Sequence, residues 1–182
     1  MDIIKALIDH HAVLRQLYSQ SEGDPGVFDE FVRHLVVHHT MEEKYFYDLL
    51  EQIPEARHDS LEAVNEHHII ELILKDSEDF PRDHERFPIK IEGVGEYTNH
   101  HLDEEETGVF LLAQKVFSAE DLNAMGALFT EAKDMLLGIA LPEPPKAMAG
   151  KGSEKSKKGG GSAEPPAAKS TSQGLGIGSL RE

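Results

Sequence analysis

Apolar residues recur at intervals of three and four through most of the chain, and no segment alternates apolar with polar residues at the period of a strand. Between Phe31 and Leu49 the stripe reads Phe31, Leu35, His38, Glu42, Tyr45, Leu49, all on one helical face. The pattern predicts five helices. The first covers about 2–20, with Asp2 as its cap, and closes before "SEGDPG", a turn by composition. The second runs from about 26 to 52 and stops before Pro54. The third opens at Asp59 or Ser60 and fades before "FPRDHERFP", where Pro81 and Pro88 mark a loop. The fourth spans about 88–117; the fifth starts at Ser118, which has capping-box spacing to Asp121, and runs to about Gly138. Short connections between four long amphipathic helices predict an all-α fold, an up-down-up-down four-helix bundle with the fifth helix packed outside or across it.

The phase of each helix selects certain histidines. Eight of the eleven histidines stand in adjacent pairs, at His10-His11, His38-His39, His67-His68 and His100-His101. In the first helix Ile4, Leu7 or Ile8, His11, Leu14 and Tyr18 share a face; in the third, Val64, His67, Ile70 or Glu71, and Leu74 do so. In the fourth the stripe is Val94, Tyr97, His101, Glu105, Gly108, Leu112. One histidine per helix therefore points at the bundle axis, and Glu42 and Glu105 follow one turn after His38 and His101. His39, about 100° round from His38, is expected off the stripe.

Composition narrows the chemistry. A chain of 182 residues suits one domain with an appendage, and the absence of cysteine excludes disulfides, thiolate metal sites and a cysteine nucleophile. No apolar run approaches a membrane span, and the acidic "MDIIKALIDHH" does not read as a signal peptide, so a cytosolic protein is expected. The net charge of −16 is uneven: residues 1–140 carry 11 basic against 30 acidic side chains, whereas 141–182 carry 7 against 4. Such an acidic body argues against nucleic-acid binding, which needs clustered Lys and Arg. The expected domains are a helical bundle over 1–140, a Pro/Gly/Ala/Lys-rich flexible linker over 141–173, and a short peptide over 174–182.

Four inward histidines and two inward carboxylates need a compensating charge, because a buried carboxylate without a strong partner costs several kcal/mol. A metal supplies it. Nitrogen and oxygen donors without sulfur, with carboxylates placed to bridge, suit iron or manganese in a two-metal centre better than a tetrahedral structural zinc. His11, His38, Glu42, His67, His101 and Glu105 supply about eight bonds, and a bridging oxide or hydroxide adds two of the roughly twelve that two six-coordinate ions need. Open positions for a small ligand remain. Glu71 and Tyr45 are candidates for a further ligand or for a place just behind the ligands.

The combination of a histidine in "DHHAVLRQLY", H-x-x-x-E running into "EEKYFY", "EHH", and H-x-x-x-E within "NHHLDEEETGVF" resembles the hemerythrin-like (HHE) cation-binding proteins over residues 3 to about 137. The resemblance implies a non-haem di-iron site, oxo- or hydroxo-bridged, with the six residues above as ligands. Oxygen-carrying hemerythrins have H-x-x-x-H on the third helix, whereas Glu71 stands four residues after His67 here. That departure disfavours a reversible oxygen carrier and favours redox chemistry with O2, peroxide or nitric oxide, with peroxidase-like, catalase-like or NO-reducing activity as the enzymatic forms. Reversible O2 storage or sensing, and oxidation of Fe(II) for iron handling, are the alternatives.

The closing "GLGIGSLRE" places Leu175, Ile177 and Leu180 among Gly176, Gly178 and Ser179 after the polar linker. Its spacing fits an extended peptide offering apolar anchors to a groove. It resembles the C-terminal cargo-loading peptide of encapsulin cargo proteins, which implies docking on an encapsulin shell and residence inside that nanocompartment in the bacterial cytoplasm; together the two resemblances imply protection against oxidative or nitrosative stress. An apolar strip on the fifth helix is a candidate homodimer contact.

Overall fold

Five helices account for most of residues 1–138, the part of the chain that the computed structural model describes. The linker and terminal peptide, including Leu175 to Leu180, lie outside the described residues. No strand occurs among those described, and none of their helices is long and apolar enough to cross a membrane.

Helix α1 (Ile3–Gly23) opens as expected, with Asp2 accepting from the Lys5 backbone N–H at 2.9 Å. Helix α2 covers residues 28–50, entered through a tight turn at Pro25–Val27 in which Asp24 accepts from the Gly26 backbone N–H. Helix α3 (Arg57–Glu78) starts two residues ahead of Asp59, and neither Asp59 nor Ser60 caps it: Ala56 is the boundary residue, and the Ser60 hydroxyl donates to the Ala56 carbonyl. Helix α4 covers residues 87–116, with Pro88 in its first turn, where the missing N–H costs nothing. Helix α5 (Ala119–Leu136) has the Ser118–Asp121 capping box and closes at Gly138, whose φ of 70° suits glycine.

Helix α1 packs on α2, α2 on α3, α3 on α4, and α4 returns to α1, while α5 lies against α1 and α2. The approach of α5 is close: a Cβ on Gly126 would stand 2.3 Å from the Met1 carbonyl oxygen, so only glycine lets the helix seat on the start of the chain.

The apolar interior falls into two clusters. One gathers Ile3, Leu7, Phe46, Leu50, Phe110 and Phe129 with their neighbours; the other gathers Leu14, Phe28, Phe31, Leu35, Phe87 and Val94 with theirs. Between them along each of α1 to α4 lie the buried His11, His38, Glu42, His67, His101 and Glu105. A polar layer at this depth interrupts what would otherwise be one continuous core.

Two π-helical turns break the α-helical phase, at Glu43–Tyr47 in α2 and Glu105–Val109 in α4. Each inserts about one residue and so rotates the following face by about 100°. Both sit at the end of a His-x-x-x-Glu segment. The inward residues beyond them are accordingly Phe46, Tyr47 and Leu50 rather than Tyr45 and Leu49, and Phe110 and Ala113 rather than Gly108 and Leu112. Tyr45 is left half-buried with the Lys44 ammonium over its ring, 5.2 Å from the centroid.

Candidate metal centre

The six residues picked by helical phase converge. His11, His38, Glu42 and Glu105 each bring a donor atom within 4.8 Å of one another, and so do Glu42, His67, His101 and Glu105, the two carboxylates belonging to both groups. All six are fully or almost fully buried.

The imidazoles are fixed from behind. His11 Nδ1 faces Glu106 Oε1 at 2.8 Å, His67 Nδ1 faces Glu43 Oε1 at 2.9 Å, and His101 Nδ1 faces Glu66 Oε2 at 2.7 Å. His38 Nδ1 faces His10 Nδ1 at 3.1 Å; His10 Nε2 meets His34 Nδ1 at 3.2 Å, and His34 Nε2 meets the exposed Glu30 at 3.2 Å. A carboxylate behind the Nδ1 atoms of His11, His67 and His101, and an imidazole behind that of His38, fix the rings with each Nε2 facing inward. The spacing in the middle follows: His11 Nε2 lies 3.1 Å from His38 Nε2 and 3.3 Å from Glu105 Oε2, His38 Nε2 lies 3.3 Å from Glu42 Oε2, and His101 Nε2 lies 3.2 Å from Glu105 Oε1. His67 Nε2 is 3.7 Å from Glu42 Oε2.

Most of these inward atoms have no hydrogen-bond partner. Both oxygens of Glu42, Glu105 Oε2, and the Nε2 atoms of His67 and His101 are buried and unmatched. Unmatched buried polar groups are costly, and five gathered within these donor groups fit bound cations. The remaining Glu105 oxygen accepts from the Tyr47 hydroxyl at 2.5 Å.

Protonation reflects this crowding. Burial, reinforced by the nearby Glu105, pushes the Glu42 carboxyl well above the usual range. Burial acts on Glu105 in the same sense, yet His101 and His11 overcome it and hold that carboxyl well below the usual range. Burial opposes charge on His101, but Glu105, Glu66 and Glu42 together push it up to about 10. Burial, aided by Lys133, His34 and His11, lowers His10 from 6.5 to about 3. Burial likewise lowers His38, His39 and His67, against the pull of Glu43 in the last case.

For the metal-free chain these shifts have opposite signs with pH. His10, His38, His39 and His67 stay neutral in the fold below 6.5, so their contribution is present above pH 6.5 and is lost as acid charges the unfolded chain first. His101 contributes below 6.5, and that contribution is lost as pH rises towards about 10. Stability of the metal-free protein is expected to peak near pH 6.5 to 7 and to fall on both sides, at about 1.4 kcal/mol per pH unit for each proton taken up or released. Urea midpoints between pH 5 and 9 measure this; a flat profile would contradict the burial of neutral imidazoles.

Several partners in the layer were not picked out by periodicity. Glu43 and Glu106, the second members of their acidic doublets, accept from histidines on other helices, which is why glutamates come in pairs after His38 and His101. Tyr47 rather than Tyr45 reaches the carboxylates, because the π turn moves it inward. Glu71 is exposed and joins neither group of donors. His39, expected on another face, is 1 % exposed. The inward side of α2 is broad enough for both members of the pair: His38 faces His10, His11 and Phe129, while His39 faces His67 and His101.

The fold and the cluster together define a helical protein with a buried histidine–carboxylate site able to hold metal. The hemerythrin HHE cation-binding domain matches residues 2–113, and the chain belongs to that family. No curated protein and no solved structure matches it.

Proposed function

We propose that the chain is a non-haem di-iron protein that binds and reduces O2, peroxide or nitric oxide, and that it works as encapsulin cargo in protection against oxidative or nitrosative stress. The observation that carries the metal reading is the set of unmatched, buried donors facing one another while the Nδ1 atoms behind them are tied off. Two groups sharing Glu42 and Glu105 support two ions: His11 and His38 would hold one, His67 and His101 the other, and the two carboxylates would serve both. Helices α1 to α4 in up-down-up-down order are the arrangement this reading assigns to the bundle.

Two ferrous ions held here would supply two electrons, enough to reduce one peroxide, with two protons, to two waters, and an external donor would restore them. The chain's own part is to exclude water and to place donors. Tyr47 keeps its proton, because burial and then Glu105 and Glu42 raise it well above the usual phenol range, so its hydroxyl stays a donor to Glu105. Rapid mixing of the ferrous protein with O2, peroxide and NO in separate experiments identifies the substrate as the one consumed fastest with loss of ferrous iron. Optical changes that reverse with oxygen pressure would favour storage instead, and release of iron to a chelator under turnover would favour iron handling.

The cargo reading rests on "GLGIGSLRE" following a polar linker. A chain lacking residues 174–182, coexpressed with a shell protein, is expected to stay outside the shell; continued encapsulation would refute this part of the reading. Exposed Leu128, Met135 and Leu136 on α5 are the candidate contact for a homodimer, which would present two peptides to one shell.

A further inference from the structure

The proposed di-iron reading gives each ion two imidazoles and leaves one buried histidine of the same layer unused. The position one turn after His67 holds Glu71, which is exposed beside Val36, Leu74, Lys75 and Glu78 on the surface. Buried in the same layer, on α2, lies His39. It is the one buried histidine among the described residues with neither ring nitrogen hydrogen-bonded. A leucine or phenylalanine would fill this space without stripping water from two polar atoms, so packing alone does not account for an imidazole here.

The neighbours of His39 point to what those nitrogens meet. Its ring lies on that of His67, with centroids 3.9 Å apart and planes 9° from parallel, and meets His101 at 5.7 Å nearly edge-on. Donor nitrogens of His39, His67 and His101 lie within 4.8 Å of one another, and the Nε2 atoms of the latter two are also unmatched. We propose that His39 is a metal ligand, joining His67 and His101 on one ion and giving that side three imidazoles against the two of His11 and His38. Stacked rings cannot both aim at one ion, so His39 turns about its Cβ–Cγ bond, a torsion with broad wells, to bring a nitrogen to the centre.

This assignment rests on the two-ion reading, and one titration separates the two. Metal-free full-length protein is titrated anaerobically with Co(II), following the visible absorption. The wild-type chain is expected to take up two equivalents. His39→Leu and His39→Gln are expected to keep one and to bind the other at least about tenfold more weakly, with a changed band on that side, since even residues behind a ligand cost that much. The exposed His68→Leu serves as the control and binds as wild type does. With metal absent, His39→Leu is expected to melt at a higher temperature than wild type, because two unmatched nitrogens are gone, and to gain less from added metal. Two equivalents bound with wild-type affinity and spectrum by both variants would overturn the role of His39 and leave the two-ion centre standing; no uptake by the wild-type chain would overturn both.

Discussion

Glu42→Gln and Glu105→Gln, near-isosteric changes at two carboxylates related by the bundle's layout, are expected to behave alike with metal and differently without it. Each removes a carboxylate shared by both donor groups, so each should reduce iron from the proposed two per chain to below one. In the metal-free protein Glu42 is held protonated, burial and the adjacent Glu105 being the causes, so a neutral amide replaces a neutral acid. Its stability should change by less than about 1 kcal/mol. Glu105 is ionised there and faces His101, which it helps to hold charged. Removing its charge breaks a buried pair, at an expected cost of about 3 kcal/mol, which deprotonation of His101 can only partly offset. Urea unfolding of both variants in chelator checks this; equal losses would mean that the two carboxylates are not the asymmetric pair described.

The second large effect is the gain on adding metal. The polar layer separates two apolar clusters and leaves five or more polar atoms unmatched, so the metal-free fold carries an uncompensated cost that bound cations remove. At a free metal concentration about a thousandfold above Kd, one site adds about 4 kcal/mol, which for a domain of this size is a rise in melting temperature of roughly 10 °C or more. Calorimetry before and after loading with Fe(II) under anaerobic conditions measures it. A shift of only a degree or two would mean that the layer is satisfied without metal.

How far the sequence reveals this arrangement depends on where its periodicity holds. The helices at residues 3–23, 57–78 and 119–136 fall close to their expected limits because turns, prolines and a capping box punctuate them. The six histidines and glutamates converge because His-to-Glu steps of four residues stay on one face up to Glu42 and Glu105. Beyond those residues the π turns rotate the face, a change that periodicity cannot register, and Tyr45 is displaced by Tyr47. The doublets hid a second layer of meaning. Glu43, Glu66 and Glu106 stand beside the inward stripe, where an acid usually meets only solvent, yet each closes on a histidine of a neighbouring helix. His39 was misplaced for a related reason, since a helix flanked on both sides inside a bundle can bury two residues about 100° apart.

The measurement that bears most directly on the central claim is metal content per chain after expression in iron-supplemented medium, with the visible spectrum recorded before and after peroxide. About two irons per chain, with an oxo-bridged spectrum that responds to peroxide, is the result expected of paired donor groups sharing two carboxylates. Little iron, or a single tightly held zinc, would contradict the di-iron centre and the reactivity proposed for it.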